Sequence, residues 1–232
     1  MSKYKYLLWD VDGTLLDFLA AEKAAIKSLF LKNGFGECTD EMVSLYSSIN
    51  VKYWQALERN EITKSQLLTG RFKEFFSLLD ISIENAEALT RDYQLALGDT
   101  IVYKDDSKEL LMKLKDDYIC AAITNGTKIA QDKKLGKSGF DKIFEKIFIS
   151  EELGIEKPNK EFFEKAFSEL GICDRSEVLV IGDSLTSDIK GGNNAGVDTC
   201  WYNPSGKRND SGIVVTYEIR NLWDVIDILA DN

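Results

Sequence analysis

The sequence predicts an α/β fold, a parallel sheet whose chain is interrupted by an inserted helical module. Two observations predict it. Short apolar runs, Tyr6–Trp9, Ile119–Ile123, Ile147–Ile149 and Val178–Ile181, each stop at a small, polar or acidic residue and lead into a helix-like segment. That alternation is the pattern of buried parallel strands joined by helices. The second observation is a spacing: more than a hundred residues separate Asp10 from Thr124, whereas a crossover between parallel strands needs only a dozen or so. The sheet is therefore Rossmann-like, with extra structure after its first strand.

The crossover helices read as 106–116, 127–138, 159–170 and 186–195. A last helix over 222–230 is capped by Asn221 and carries Leu222, Val225, Ile226 and Leu229 on one face. Cys120 and Cys200 sit in apolar runs that read as strands. Between the first two strands, the stretch 17–98 is helical throughout. Asn33-Gly34 stops a helix containing Leu19, Ile26 and Phe30. Thr63 and Gln66 form a capping-box pair ahead of Leu68, Phe72, Phe75, Phe76 and Leu79. Ala86, Leu89, Tyr93 and Ala96 mark a further helix. The predicted division is 1–16 with 99–232 for the sheet core, and 17–98 for the insertion.

Composition excludes several classes. The chain of 232 residues has a formal net charge of -10, which argues against a nucleic-acid polymer as partner. An anionic small molecule stays possible where a metal and a lysine cancel charge locally. No apolar run approaches a membrane span, and the N-terminus lacks a secretory pattern, so a cytoplasmic protein is expected. Histidine is absent, which removes Ser-His-Asp and Cys-His catalysis and most zinc sites. The four cysteines lie far apart, and a catalytic thiol would lack its usual base.

What remains for chemistry is carboxylates, lysines, hydroxyls and a hard metal ion. In open parallel sheets, ligands bind beyond the carboxyl ends of the strands, where Asp10, Asp12, Thr124, Asn125 and Asp183 all fall. Asp10 and Asp12 can act as nucleophile and as general acid and base in phosphoryl transfer, or they are simply acids in a turn. The acid role asks for a raised Asp12 pKa, which a neighbouring like charge can cause. Thr124-Asn125-Gly126 can hold phosphate oxygens at a strand-to-helix turn, or be an ordinary cap. Lys157 can offset a carboxylate and a phosphate, or be solvated. Asp183 suits magnesium, whose ligands are oxygens, with Asp188 behind it. Gly136-Lys137-Ser138 ends like a phosphate loop, but position 131 is Gln, so that cradle is incomplete.

Taken in order, Asp-x-Asp-Gly-Thr, Thr-Asn, Lys-Pro and Gly-Asp-Ser-x-x-x-Asp resemble the four motifs of the haloacid dehalogenase superfamily across essentially the whole chain. The resemblance implies that Asp10 is nucleophile and Mg2+ ligand, and that Asp12 is acid/base and offers its carbonyl to the ion. It implies that Thr124, Asn125 and Lys157 bind phosphate and that Asp183 ligates the metal. The insertion resembles that superfamily's helical cap. Asp12 favours phosphatases over dehalogenases, which need no acid there. Segments from Ile62 to Phe72, Ile149 to Lys160 and Ser187 to Gly196 resemble the bacterial pyrimidine nucleotidases, implying a nucleoside monophosphate such as UMP, dUMP or dTMP as substrate. Phosphatases or mutases of phosphoglycolate or sugar phosphates share the core motifs, and so would a silent binding protein of the same fold. Tyr46, Tyr53 and Trp54 are candidates to stack on a base, unless they fill the helical core.

Overall fold

The computed structural model describes residues 2–230. In chain order it comprises β1 (Tyr6–Trp9), α1 (Phe18–Asn33), α2 (Asp40–Glu58), α3 (Lys64–Leu78), α4 (Ala86–Leu97), α5 (Ser107–Leu114), β2 (Ile119–Thr124), α6 (Lys128–Ser138), β3 (Lys146–Ile149), α7 (Ser150–Leu153), α8 (Lys160–Leu170), β4 (Val178–Gly182), α9 (Lys190–Ala195), β5 (Asp198–Tyr202), β6 (Tyr217–Ile219) and α10 (Val225–Ala230). The strands form one six-stranded sheet in the order β3-β2-β1-β4-β5-β6, and every neighbouring pair is parallel. The four expected strands are present, and the run around Cys200 is β5.

Both faces of the sheet are covered, because successive strand side chains point to opposite sides. Leu7 and Trp9 pack with Cys120, Ala122, Leu179, Ile181 and Cys200 in one core. Tyr6 and Leu8 pack with Ala121, Ile123, Val178 and Val180 against Phe162, Phe163 and Phe167 of α8 in another. The register levels Trp9 with Ala122 on one side and Ile181 on the other. The three strands end within about two residues of that level, and the residues that follow them share one rim.

The inserted helices α1 to α4 have a core of their own, in which Phe30, Tyr46, Phe72, Phe75, Phe76 and Tyr93 pack ring against ring. Thr63 and Gln66 form the capping box expected of them. Leu19 departs from the pattern: it lies 66% exposed, off the stripe formed by Ala21, Ala25, Ile26, Leu29 and Phe30. The two chain crossings into and out of the insertion run side by side. Asp17 N–H donates to the Val102 carbonyl at 2.8 Å and Lys104 N–H to the Leu15 carbonyl at 3.0 Å.

Two expected helices are interrupted. The segment 186–195 is a π-helical turn over Leu185–Ile189 followed by α9, with Ile189 N–H reaching back to the Ser184 carbonyl. Such turns re-aim side chains at functional sites, and here Asp188 is turned inward. The last helix begins as a 3-10 turn over Leu222–Asp224, capped by Asn221 through Trp223 N–H at 2.9 Å. Among the described residues, no helix is long and apolar enough to cross a membrane.

Candidate active site

The site lies at the common rim of β1, β2 and β4. Its centre is Lys157, 1% exposed, which arrives on the loop after α7. The Lys157 ammonium donates to Asp10 Oδ1 at 2.8 Å, Asp188 Oδ1 at 2.7 Å and the Ile123 carbonyl at 2.8 Å. Three donors meet three acceptors, so the buried cation is fully satisfied. Burial disfavours the ammonium, but attraction to Asp10 and Asp188 outweighs it, and the Lys157 pKa is raised.

Thr14 links the other acids. Its hydroxyl lies 2.9 Å from Asp10 Oδ2 and 3.4 Å from Asp183 Oδ1, and it accepts from Asp183 N–H at 3.0 Å. Gly13 makes this approach possible. Its φ is +98°, and a Cβ there would sit 2.6 Å from Asp183 Oδ2. Asp10, Asp183 and Asp188 each offer an oxygen, all within 4.8 Å of one another. Burial, then repulsion from Asp188, pushes the Asp10 carboxyl well above the usual carboxylate range, against the pull of Lys157. Asp183 reaches solvent through the cleft yet is closely walled by protein. That desolvation, together with Asp188, pushes it up to about 7.

These observations test a metal site on its donors. Three carboxylates against one ammonium leave two formal negative charges, which a divalent cation cancels. The donors are all oxygens, as magnesium requires. Asp188 already uses Oδ1 on Lys157 and Oδ2 on Ser184 N–H at 3.1 Å. Asp10 and Asp183 are thus better placed to face an ion, with Asp188 holding Lys157 and the turn behind them.

Two candidates stand differently from expectation. The Asn125 side chain is committed to the Lys157 backbone, donating to its carbonyl at 2.8 Å and accepting from its N–H at 2.8 Å. It braces the lysine loop against the strand end, while the Thr124 hydroxyl, which accepts from Gly126 N–H at 3.0 Å, keeps its own proton to donate. A like charge beside Asp12 would favour its acid role. Instead its carboxylate accepts from the buried ammonium of Lys134 and from Gln131 Nε2 on α6. To act as an acid it has to give up one of these partners.

Lys134 and Gln131 are functional candidates that the motifs do not mark. Their only signal is the spacing i, i+3 on a helix face that also buries Ala130 and Leu135. Glu58 is another: its carboxylate accepts from the Thr186 hydroxyl at 2.7 Å, tying α2 to the β4 turn. Lys64, at the start of α3, donates to the carbonyl of Asn125 at 2.9 Å and to Ser150 Oγ at 2.7 Å. The inserted helices thus hold the backbone at the end of β2 through side chains that carry no motif.

The resulting cleft, about 170 Å3, is lined by Asp10, Asp12, Thr124, Lys157 and Asp183 on the sheet side, and by Phe18, Trp54 and Glu58 from the insertion. Of the three aromatic candidates, Trp54 alone lines it. Tyr46 is fully buried against Phe72, with ring centroids 5.5 Å apart, and Tyr53 packs over Gly70.

Comparison with known proteins agrees with this geometry. The solved structure of the HAD-hydrolase YfnB from Bacillus subtilis, described as bound to magnesium and as revealing interdomain movement, superposes with a TM-score of 0.90 at 37% identity, covering 97% of this chain and 98% of that one. The pyrimidine 5'-nucleotidase PynA of Streptococcus pneumoniae is 37% identical over 99% of this chain and 96% of its own length. The pyrimidine 5'-nucleotidase YjjG of Escherichia coli is 30% identical over 98% and 99%. The model of the haloacid dehalogenase-like hydrolases matches residues 7–202. With the acid and lysine cluster at the strand ends, this match places the chain in the haloacid dehalogenase-like hydrolase family.

Proposed function

We propose that the protein is a magnesium-dependent 5'-nucleotidase that hydrolyses pyrimidine nucleoside monophosphates through an aspartyl-phosphate on Asp10. The observation that carries the chemistry is the convergence of Asp10, Lys157 and Asp183 on one point at the rim of the sheet. The full-length likeness to two pyrimidine 5'-nucleotidases supports the substrate class. Residues 17–98 act in this reading as a cap over the cleft, and the setting is cytoplasmic.

In the first half-reaction Asp10 attacks phosphorus. A carboxylate-oxygen-to-phosphorus bond forms, the bond to the nucleoside 5'-oxygen breaks, and Asp12 protonates that oxygen as it leaves. The Thr124 hydroxyl donates to the phosphoryl oxygens, Lys157 holds Asp10 in place and offsets charge from behind it, and the backbone around Asn125, fixed by Lys64, orients the phosphate. Asp12 then takes a proton from the attacking water, which releases phosphate and restores Asp10. Asp10, Asp183 and the Asp12 carbonyl would hold magnesium, which supplies charge neutralisation for the dianionic substrate.

The test is phosphate release from UMP, dUMP, dTMP, purine monophosphates, phosphoglycolate and hexose phosphates. Uridine and thymidine monophosphates are expected to lead, with activity lost in EDTA and restored by Mg2+. A lead for phosphoglycolate or hexose phosphates, or isomerisation without release, would replace this reading. For Asp12→Ala, kcat on UMP is expected to fall by about 10^2–10^4-fold, the usual contribution of a positioned acid and base. A smaller loss is expected with p-nitrophenyl phosphate, whose leaving group needs no proton. Equal losses on the two substrates in kcat/KM, which reports formation of the phosphoenzyme and not its hydrolysis, would contradict the acid role.

A further inference from the structure

A narrow recess of about 30 Å3 opens beside the cleft and shares with it Asp12, Phe18, Trp54 and Gly126. Beyond those residues it is lined by Arg71 of α3 and by Gln94 and Gln131. Arg71 is 1% exposed. One guanidinium nitrogen donates to Asn50 Oδ1 at 2.7 Å, and Asn50 in turn donates to Glu22 at 2.7 Å. Its Nε and Nη2 have no hydrogen-bond partner, and neither has Gln131 Oε1. Buried polar groups are rarely left unmatched, because each costs about 1–3 kcal/mol. Arg71 and Gln131, which carry these two unpaired donors and one unpaired acceptor, both line the same recess. The amide of Gln131 cannot turn round to supply a donor without losing its bond to Asp12.

We infer that Arg71 and Gln131 form a base-reading subsite, in which Arg71 donates to a ring carbonyl and Gln131 Oε1 accepts from the adjacent ring N–H of a uracil or thymine. The recess has room for about one oxygen-sized group, close to the volume of a water molecule. It therefore admits the carbonyl edge of the base, while the ring lies in the adjoining cleft against Phe18 and Trp54. Phe72 and Tyr93 flank the guanidinium at 5.2 and 5.0 Å and hold its plane. Cytosine presents a bare ring nitrogen where uracil has its N–H, so it would set acceptor against Gln131 Oε1. The inference rests on the nucleotidase reading and adds to it the residues that choose the base.

The test compares kcat/KM for UMP, CMP and ribose 5-phosphate in the wild-type enzyme and in Arg71→Met and Arg71→Lys, with thermal unfolding as the folding control. Wild type is expected to prefer UMP over CMP and over ribose 5-phosphate by at least about tenfold each, within the range that hydrogen-bonded sites achieve. Arg71→Met should cut the UMP to ribose 5-phosphate ratio by at least about tenfold, and Arg71→Lys should recover part of it. A preference for UMP over ribose 5-phosphate that survives in both variants would overturn the subsite and leave the nucleotidase reading standing. So would parallel losses on all three substrates, which would make Arg71 part of the helical framework. Wild type that does not distinguish UMP from ribose 5-phosphate would overturn both. The comparison of UMP with CMP needs no variant, so it decides even if Arg71→Met fails to fold; equal rates there count against the subsite.

Discussion

Asp10→Asn is expected to abolish turnover, with a loss on the order of 10^4-fold or more, as when a nucleophile is removed from a set of groups that act together. The substitution is nearly isosteric, so the cleft keeps its shape. An amide oxygen is a poor nucleophile, and the variant also loses a charge that would face the metal. The same change relieves repulsion. Asp10 is buried beside Asp188 and Asp183, and its carboxyl is pushed well above the usual range, by burial first. The metal-free variant should therefore unfold at a temperature no lower than wild type. Single-turnover kinetics and thermal unfolding check the pair of outcomes. Activity within tenfold of wild type in a folded variant would remove Asp10 from its role.

Lys157→Met is expected to damage both rate and stability. Removing the ammonium that positions Asp10 and offsets the charge developing beside it costs on the order of 10^2–10^3-fold in rate. Removing one partner of a buried pair costs about 3–5 kcal/mol, because the charges left behind have no compensation. Here Asp10 and Asp188 both lose the ammonium that contacts them at 2.8 and 2.7 Å.

The pH dependence follows from the sign of the carboxyl shifts. Asp183 has a folded-state pKa of about 7 against an ordinary value of 3.8, and Asp10 shifts in the same direction. Between those values the folded protein binds protons that the unfolded chain releases, so stability falls as pH rises through that window. Without Lys157 the carboxyls shift further upward and the fall steepens. Urea unfolding at pH 5.5 and pH 8 should show the larger deficit at pH 8, and Mg2+ should recover part of it. An equal deficit at both pH values would mean that packing, not charge, is what the lysine supplies.

The elements legible in the sequence were those whose signal is local. β1, β2 and β4 announced themselves because strands buried on both faces read as unbroken apolar runs, and β3, half-buried at the sheet edge, through the short run Ile147–Ile149. Thr63 with Gln66 marked the start of α3, because a capping box is a contact between neighbours in sequence. β6 did not, since three edge residues, Tyr217–Ile219, carry no period. The π turn that aims Asp188 was also hidden, because one extra residue in a helix leaves the apolar pattern almost unchanged.

The candidate site divides along the same line. Asp10, Asp183 and Lys157 stand in motifs and meet in space. Lys134, Gln131, Lys64 and Arg71 act through contacts made between residues 61 to 122 positions apart, or through unmatched atoms in a recess, and nothing nearby in sequence marks them. The committed Asn125 side chain shows the reverse case. A motif can identify a residue that belongs at the site without identifying which of its atoms is free.

The most direct measurement is to trap the intermediate. The enzyme with Mg2+ is mixed with UMP carrying a radiolabelled phosphate, quenched in acid within milliseconds, and digested for peptide mapping. Label that is stable in acid, released by hydroxylamine and confined to the peptide containing Asp10 is the predicted result. Label on another residue, or full phosphate release at every time point with none on the protein, would contradict a phosphoenzyme on Asp10.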